Sequence, residues 1–458
     1  MTLSFTEAAN ATGAHVQHAE HAPASVVVST DTRTLSSGET YLALRGERFD
    51  GHAYIDQALQ MGAAALVVEK APNALEVATL IVADTKAAYM SLAAAARSKF
   101  NGHVIAITGS TGKTTTKALL SQLLRSRYLK HVAASPANEN NEIGVSKLLL
   151  RLESDVQAVV VEMGARHFGD IEALVEIAQP HVGILTNVGE AHLEIMGSRE
   201  RLAQTKWAIF SRGATAVLNI RDEVSRTYAS QLEKAPRWFG LGASALPNLH
   251  EEERGLFLLD RHTMVVLDRH ETRTYHLQAR LPGDYNLENL AAALAGALEL
   301  GCDPAALVEA VEDLELPSGR YESVQVSRGV RVIFDAYNAS MSGMMATLDA
   351  FAQETGEHRI AVLGSMAELG PEGPQMHHAV GEHAARLPLD TLLIGGEYVE
   401  HLANGALEAG FPADRIVRFK DNDGATQWLV QHADAGDVVL LKGSRKYKLE
   451  EILDGLRA

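Results

Sequence analysis

The chain has 458 residues, more than one hydrophobic core usually serves, so about two to four domains are expected. Its net charge of −17 argues against nucleic acid or an anionic membrane as partner, because both are gripped mainly by Lys and Arg. The single cysteine, Cys302, excludes an internal disulfide and a thiolate metal cluster. With 46% hydrophobic and 22% charged residues the composition is that of a globular protein. The opening MTLSFTEAANATGAH lacks the basic-then-apolar pattern of a secretory signal, and no apolar run is long enough to span a bilayer. A cytoplasmic, monomeric enzyme is the expectation.

In chain order, SVVVST, ETYLAL, AALVVE and ATLIVA read as strands, and Tyr54–Gly62 and Ala87–Lys99 as helices. These form a small mixed α/β region over residues 1–100. Phe100-Asn101-Gly102 marks its end, a turn signal after a helix. A second region, 101–316, opens with the buried strand HVIAIT, then a glycine loop, then a helix from Lys113 to about Arg127. Leu119, Leu120, Leu123 and Leu124 form one apolar face of that helix. AVVVEM, VGILTN and TAVLNI follow as further buried strands, with helical segments among them. Apolar strands alternating with helices predict a mainly parallel sheet covered on both faces. The stretch from Trp238 to about Leu281 reads as small antiparallel strands. A helix over Asn286–Leu300 closes the region, its N-terminus open to capping by Asp284 or Asn286. From Pro317 a third, Rossmann-like α/β region runs to residue 458, with strands VRVIFDA, RIAVLG, TLLIGG and DVVLLKG. Its Gly-rich strand ends, at Gly364-Ser365 and Gly443-Ser444, are where open parallel sheets bind ligands.

GSTGKTTT, residues 109–116, follows a strand and opens a helix. Glycines let the backbone curl so that its N–H groups point inward, and the helix N-terminus adds partial positive charge. Gly109, Ser110, Thr111, Gly112, Lys113, Thr114 and Thr115 are therefore expected to cradle nucleotide phosphates. Lys113 would reach the β- and γ-phosphates and Thr114 would hold Mg²⁺. Such a loop indicates ATP or GTP without choosing among hydrolase, kinase and ligase.

Near this loop, strand ends carry polar residues that a fold does not need. Glu162 ends AVVVEM, and Asn187, Glu190 and His192 follow VGILTN. Glu162 and His192 together suit a hard cation bridging ATP and substrate. Carboxylate oxygen suits Mg²⁺; imidazole is a less usual ligand for it, so Mn²⁺ is an expected substitute. Lys206, in LAQTKWAIF, reads on its own as an exposed helix lysine.

At this point the residues resemble a family. ITGSTGKTTTKALL, NENNEIGV, VEMGARHFGDIE, TNVGEAHLEIMGS and GDYNLENLAAALA resemble the Mur ligases of peptidoglycan synthesis. DTRTLSSGETYLALRGERFDGHAYIDQALQMGA is similar to that family's uridine-nucleotide domain. FDAYNAS, VLGSMAELGPEG and LLKGSRKYKLEEIL resemble the member that joins D-alanyl-D-alanine to UDP-N-acetylmuramoyl-tripeptide. The resemblance implies three domains, binding the UDP-substrate, ATP and the incoming amino acid or dipeptide in turn.

It also implies roles. Lys206 would be carbamylated and, with Thr114, Glu162 and His192, would help hold two Mg²⁺ ions. Asn286 and Asn289 would contact adenine, with Tyr285 standing where the family commonly has histidine. Arg320 and Asp335 would reach ATP, Arg320 neutralising charge on the γ-phosphate. Lys113, Lys206, His192 and Arg320 form the implied catalytic set. Thr32, Arg33, Arg45, Gly46, Asp50 and His52 would grip uridine and diphosphate, and Asn140 and Asn141 would lie near the sugar or metal. Tyr337, Asn338, Lys442, Ser444 and Arg445 would face the dipeptide.

The expected reaction is an ATP-dependent amide ligation through an acyl phosphate. Two rivals are a family member adding the third amino acid and a nucleotide-binding regulatory module. The first typically carries Asp-Asn-Pro-Arg in its last domain, where this chain has Asp335-Ala-Tyr-Asn. The second needs neither a third α/β domain nor the Glu162, His192 and Lys206 set.

Overall fold

The computed structural model describes residues 1–46, 49–70, 76–128, 130–189, 196–248, 253–268 and 271–457. The chain divides into two compact units. Residues 1–108, 127–184 and 205–216 make the first; residues 109–126, 185–204 and 217–458 make the second. Among the described residues no helix is long and apolar enough to cross a membrane.

The first unit opens with helix Phe5–Thr12, started by a capping box in which Ser4 and Glu7 each take the other's backbone N–H. A five-stranded sheet follows, ordered His15–Gln17, Ala78–Ile81, Ala65–Val68, Thr40–Leu42, Val28–Ser29. Its first pair is antiparallel and the rest are parallel. Val132–Ala134, Ala158–Glu162 and His103–Thr108 pair in parallel elsewhere in this unit, with Val182–Leu185 next to His103–Thr108 in strand order. Val104–Ile107 and Ala158–Val161 are wholly buried. Unbroken apolar runs of this kind are what a strand covered on both faces requires.

In the second unit, helix Lys113–Tyr128 buries Leu119, Leu120, Leu123 and Leu124 completely, the face expected from their spacing. One expectation fails here. Strand Arg237–Leu241 pairs parallel with both Thr215–Asn219 and Arg254–Leu258, and only Arg254–Leu258, Thr263–Asp268 and Glu271–His276 pair antiparallel. The reason is the connections. A helix, Glu223–Tyr228, intervenes before Arg237, and a 3-10 turn, Ala243–Asn248, follows Leu241. Both segments are crossovers rather than hairpin turns, and a crossover returns the chain in the same direction.

A six-stranded sheet completes the unit, ordered Glu322–Gln325, Arg331–Phe334, Val438–Lys442, Arg359–Gly364, Thr391–Gly395, Ile416–Phe419. Only the first pair is antiparallel. Apolar layers cover both faces, one around Leu348, Phe351 and Val380, the other around Leu429, Leu449 and Ile452. The two outer strands ESVQ and IVRF escaped the sequence reading because each is half exposed and short, with no sustained apolar run. The last strand in the chain, Val438–Lys442, lies between the second and third. That reversal opens a crevice at the carboxyl ends of the strands, where Asp335, Ser365 and Lys442 stand.

Candidate active site

The loop after Thr108 curls as its glycines allow. Gly109 and Gly112 have φ of +150° and +81°, the latter in the left-handed region that side chains resist. A Cβ on Gly109 would stand 1.9 Å from Thr186 Oγ1, and one on Gly112 would stand 2.2 Å from Asn289 Oδ1. Both glycines are therefore demanded by close approach. Lys113 Nζ donates to the carbonyls of Gly109 at 2.7 Å and Ser110 at 3.4 Å, which holds the ammonium inside the loop's own curve. Replacing Gly112 by Ala adds a strained φ of about 1–2 kcal/mol to a collision. ADP affinity measured calorimetrically should fall at least about tenfold, while binding of a UDP-substrate should be unchanged.

A cavity of about 400 Å³ in the second unit is lined by residues 110–115 of this loop. It is also lined by Asn187, Tyr285, Asn286, Glu288, Asn289, Arg320, Asp335, Asn338 and Lys442. The tertiary fold thus brings together most of the residues that the sequence assigned to ATP, with two assigned to the dipeptide. Asn286 is buried and its Nδ2 donates to Pro282 O at 2.8 Å. The helix Asp284–Glu299 is not capped by Asp284 or Asn286, contrary to expectation. Its N-cap is Gly283, at φ +72°, with no side-chain cap; an added Cβ there would meet Ala350 and the Tyr285 ring. The Arg320 guanidinium lies 4.5 Å from the centre of the Tyr337 ring, a cation–π contact, and its Nε is buried without a hydrogen-bond partner among the described residues. Arg320 lines the cavity, and its cationic guanidinium there suits an anionic ligand.

Lys442 and Asp335 form a buried ion pair at 2.9 Å. Thr347 Oγ1 donates to the same Asp335 oxygen at 2.7 Å, and Lys442 Nζ also donates to Asn338 O at 3.0 Å. Burial pulls the Lys442 amine below its ordinary pKa; nearby Arg320 adds to this and Asp335 opposes it. Removing one member of such a pair leaves the other charge buried. Lys442→Met should lower unfolding free energy by about 3 kcal/mol. The check is urea titration, with the double change Lys442→Met/Asp335→Leu recovering most of the loss. Ser444 is buried, whereas Arg445 is exposed and pairs with Glu450 at 3.5 Å.

In the first unit, Glu162 is 1% exposed and takes an N–H bond from Asn140 Nδ2 at 2.9 Å. Gly164 permits this, since a Cβ there would lie 2.7 Å from Asn140 Oδ1. Asn141 caps helix Glu142–Leu150 by accepting from Gly144 N. Strand Ala158–Glu162 places Glu162 opposite Ile107, two residues before Gly109 in the chain. Lys206 is 1% exposed in helix Arg199–Trp207, so its reading as a surface lysine is wrong. Glu190 and His192 lie outside the described residues. Among the described residues no three His, Cys, Asp or Glu side chains converge as a metal-binding group.

The hairpin Arg45–Gly46/Phe49–Asp50 carries a second cluster of this unit. Arg45 bridges Asp50 at 2.9 Å and Glu69 at 2.7 Å. His52 Nδ1 contacts Asp50 at 2.7 Å, and His52 Nε2 accepts from Glu69 N. The His52 N–H, then the Arg45 guanidinium and His52 ring, hold the Asp50 carboxyl well below the usual carboxylate range. Thr32 Oγ1 donates to Gln57, and Arg33, 83% exposed, pairs with Asp31 at 2.7 Å.

Three family models match in order along the chain. They are the Mur ligase family catalytic domain over residues 25–102, the Mur ligase middle domain over 107–297 and the Mur ligase glutamate ligase domain over 319–445. A Synechocystis protein named UDP-N-acetylmuramoyl-tripeptide–D-alanyl-D-alanine ligase is 37% identical over 94% of this chain and 92% of its own. The chain belongs to the Mur ligase family.

Solved structures agree with that assignment. MurF from Acinetobacter baumannii superposes with a TM-score of 0.86 at 29% identity, covering 100% of this chain and 99% of its own. MurF from Thermotoga maritima in complex with ADP superposes at 0.78 with 28% identity, covering 94% and 96%. The three-region α/β fold of this Mur ligase is the one that its alternating strands and helices predicted.

Several site residues of this Mur ligase left no mark in the sequence. Glu288 lines the nucleotide-sized cavity, and burial raises its carboxyl above the usual range against an opposing Asn219 amide. It stands between Asn286 and Asn289 in a helix, where a glutamate is ordinary. His377, which is not among the residues lining the cavity, is wholly buried. Its Nε2 accepts from Met366 N at 2.9 Å and its Nδ1 contacts Gly373 O at 2.6 Å, so the neutral ring braces residues 366–373. Thr186, Asn219 and Thr347 are equally unremarkable as letters. Only the hydrogen bonds they make show their use.

Proposed function

We propose that this Mur ligase joins D-alanyl-D-alanine to UDP-N-acetylmuramoyl-tripeptide, with cleavage of ATP to ADP and phosphate. The observation that carries the reading is the end-to-end similarity to a relative of that name, at 37% identity. The cavity lined by the phosphate loop, Arg320 and the Asp335–Lys442 pair supports its ATP half, as does the likeness to a MurF structure holding ADP.

A carboxylate does not acylate an amine directly, because oxide would have to leave. The tripeptide's terminal carboxylate oxygen attacks the γ-phosphorus, the bond to the β-phosphate oxygen breaks, and an acyl phosphate and ADP result. The dipeptide amine, having lost a proton, then attacks the acyl carbon, and inorganic phosphate leaves from the tetrahedral intermediate. An α-amino group has a reference pKa of about 8, so modest help suffices for that deprotonation.

Within the second unit, Lys113, the loop N–H groups and Arg320 offset charge on the transferring phosphoryl group. Asn286 and Asn289 hold the base, and Asp335 binds elsewhere on the nucleotide. Tyr337, Asn338, Lys442, Ser444 and Arg445 are proposed for the dipeptide. Within the first unit, Thr32, Arg33, Arg45, Gly46, Asp50 and His52 are proposed for uridine and diphosphate, with Asn140 and Asn141 toward the sugar. Residues 1–100, 101–316 and 317–458 are the corresponding functional domains. Mg²⁺, when bound, supplies charge neutralisation on phosphate oxygens. The hydroxyl of Thr114 and the buried carboxylate of Glu162 are hard oxygen donors that suit it, with His192 as a further ligand. Lys206 is proposed to react with CO₂, releasing a proton and forming a carbamate. A buried anion of that kind suits a cation, whereas a buried ammonium opposes one.

The test is ADP release with purified chain, ATP, UDP-N-acetylmuramoyl-tripeptide and D-alanyl-D-alanine. Release should require both acceptor substrates. Equal release without the dipeptide sinks the ligase reading. Turnover with UDP-N-acetylmuramoyl-dipeptide and diaminopimelate instead would assign the chain to the third-residue step.

A further inference from the structure

The phosphate loop is tied to the strand end Thr186-Asn187 by bonds to both backbone groups of Thr111, and that strand end is bonded in turn to Asn219. Thr186 Oγ1 donates to Thr111 O at 2.6 Å, while Asn187 Oδ1 accepts from Thr111 N at 3.1 Å. Thr186 is itself held from behind. Asn219, 3% exposed, donates from Nδ2 to Thr186 O at 3.1 Å. The Asn219 amide cannot turn over without loss, because its Oδ1 accepts from Arg221 N at 2.9 Å. The Gly109 backbone approaches so closely that a Cβ there would overlap Thr186 Oγ1.

The consequence follows from peptide geometry. In a planar trans peptide the carbonyl oxygen of one residue and the N–H of the next point in opposite directions. Anchoring Thr111 O to Thr186 therefore turns Gly112 N–H the opposite way. A flipped Thr111–Gly112 peptide would instead bring a carbonyl oxygen to the side that the N–H now occupies. Gly112, in the left-handed region, has the backbone freedom that would make such a flip accessible.

We infer that Thr186, braced by Asn219, is a positioning residue whose hydroxyl locks the Thr111–Gly112 peptide with its N–H toward the nucleotide phosphates. The inference rests on the cavity being an ATP site, so the test reads nucleotide binding directly. Thr186→Val keeps shape and removes the donor; Thr186→Ser keeps the donor. Calorimetric titration with ADP should show Thr186→Val binding about tenfold more weakly, the loss of a buried hydrogen bond. Thr186→Ser should bind within about twofold of wild type, and both should keep the wild-type affinity for the UDP-substrate. Wild-type ADP affinity in Thr186→Val, or equal weakness in Thr186→Ser, overturns the positioning role. Absence of ADP binding by the wild-type chain overturns the nucleotide reading itself. Should Thr186→Val not fold, Asn219→Asp carries the same expectation, because it sets a carboxylate oxygen against Thr186 O. Unchanged ADP affinity there counts against the lock.

Discussion

Lys113→Met is expected to reduce ADP formation about 10²–10³-fold, the usual cost of deleting one preorganised charge from a transferring oxyanion. The side chain stays close in volume and loses only its ammonium. That ammonium already lies within the loop, on the carbonyls of Gly109 and Ser110, so little reorganisation separates its resting place from the phosphates. The loop's N–H groups and the helix that starts at Lys113 remain in the variant. ADP binding should therefore weaken far less than turnover. The check is a coupled ADP-release assay beside calorimetric binding of ADP. A variant that turns over at the wild-type rate would remove Lys113 from the mechanism.

The second large effect is expected at Lys206. Its side chain is among the largest wholly buried ones, and taking any charged group out of water costs several kcal/mol. Conversion to a carbamate replaces the ammonium by an anion that a divalent cation can compensate. Lys206→Ala should abolish measurable turnover, a loss of at least about 10³-fold, with ADP affinity within about threefold of wild type. Wild-type protein equilibrated with ¹³C-bicarbonate should show a carbamate carbon resonance that the variant lacks. Full activity in Lys206→Ala, or no carbamate signal in active wild-type protein, would rule out this role.

These two lysines differ in how far the sequence revealed them. Lys113 is legible because its neighbours are local: a buried strand, two glycines and an amphipathic helix stand within a few residues of it. Lys206 is not. Helix Arg199–Trp207 has no strong apolar face, and a lysine in it reads as solvated until its burial is known. The same limit explains strand Arg237–Leu241. Its residues announce a strand, but whether a strand pairs parallel or antiparallel depends on the path of the chain between strands. The cap of helix Asp284–Glu299 failed for a related reason. Asp284 and Asn286 have the chemistry of caps, yet Gly283, pressed against Ala350 and Tyr285, sets where the helix begins.

The phosphate loop, the buried parallel strands and the order of the three α/β regions were determined by the sequence alone. They depend on short-range requirements: backbone freedom at glycine, apolar runs of strand length and helical periodicity. The tertiary structure decided which polar residues serve the loop. Asp335 meets Lys442 across 107 residues, and Thr111 meets Thr186 across 75. A hydrogen bond at such separation leaves no spacing in the sequence, because only the order of strands within each sheet brings its two ends within about 3 Å.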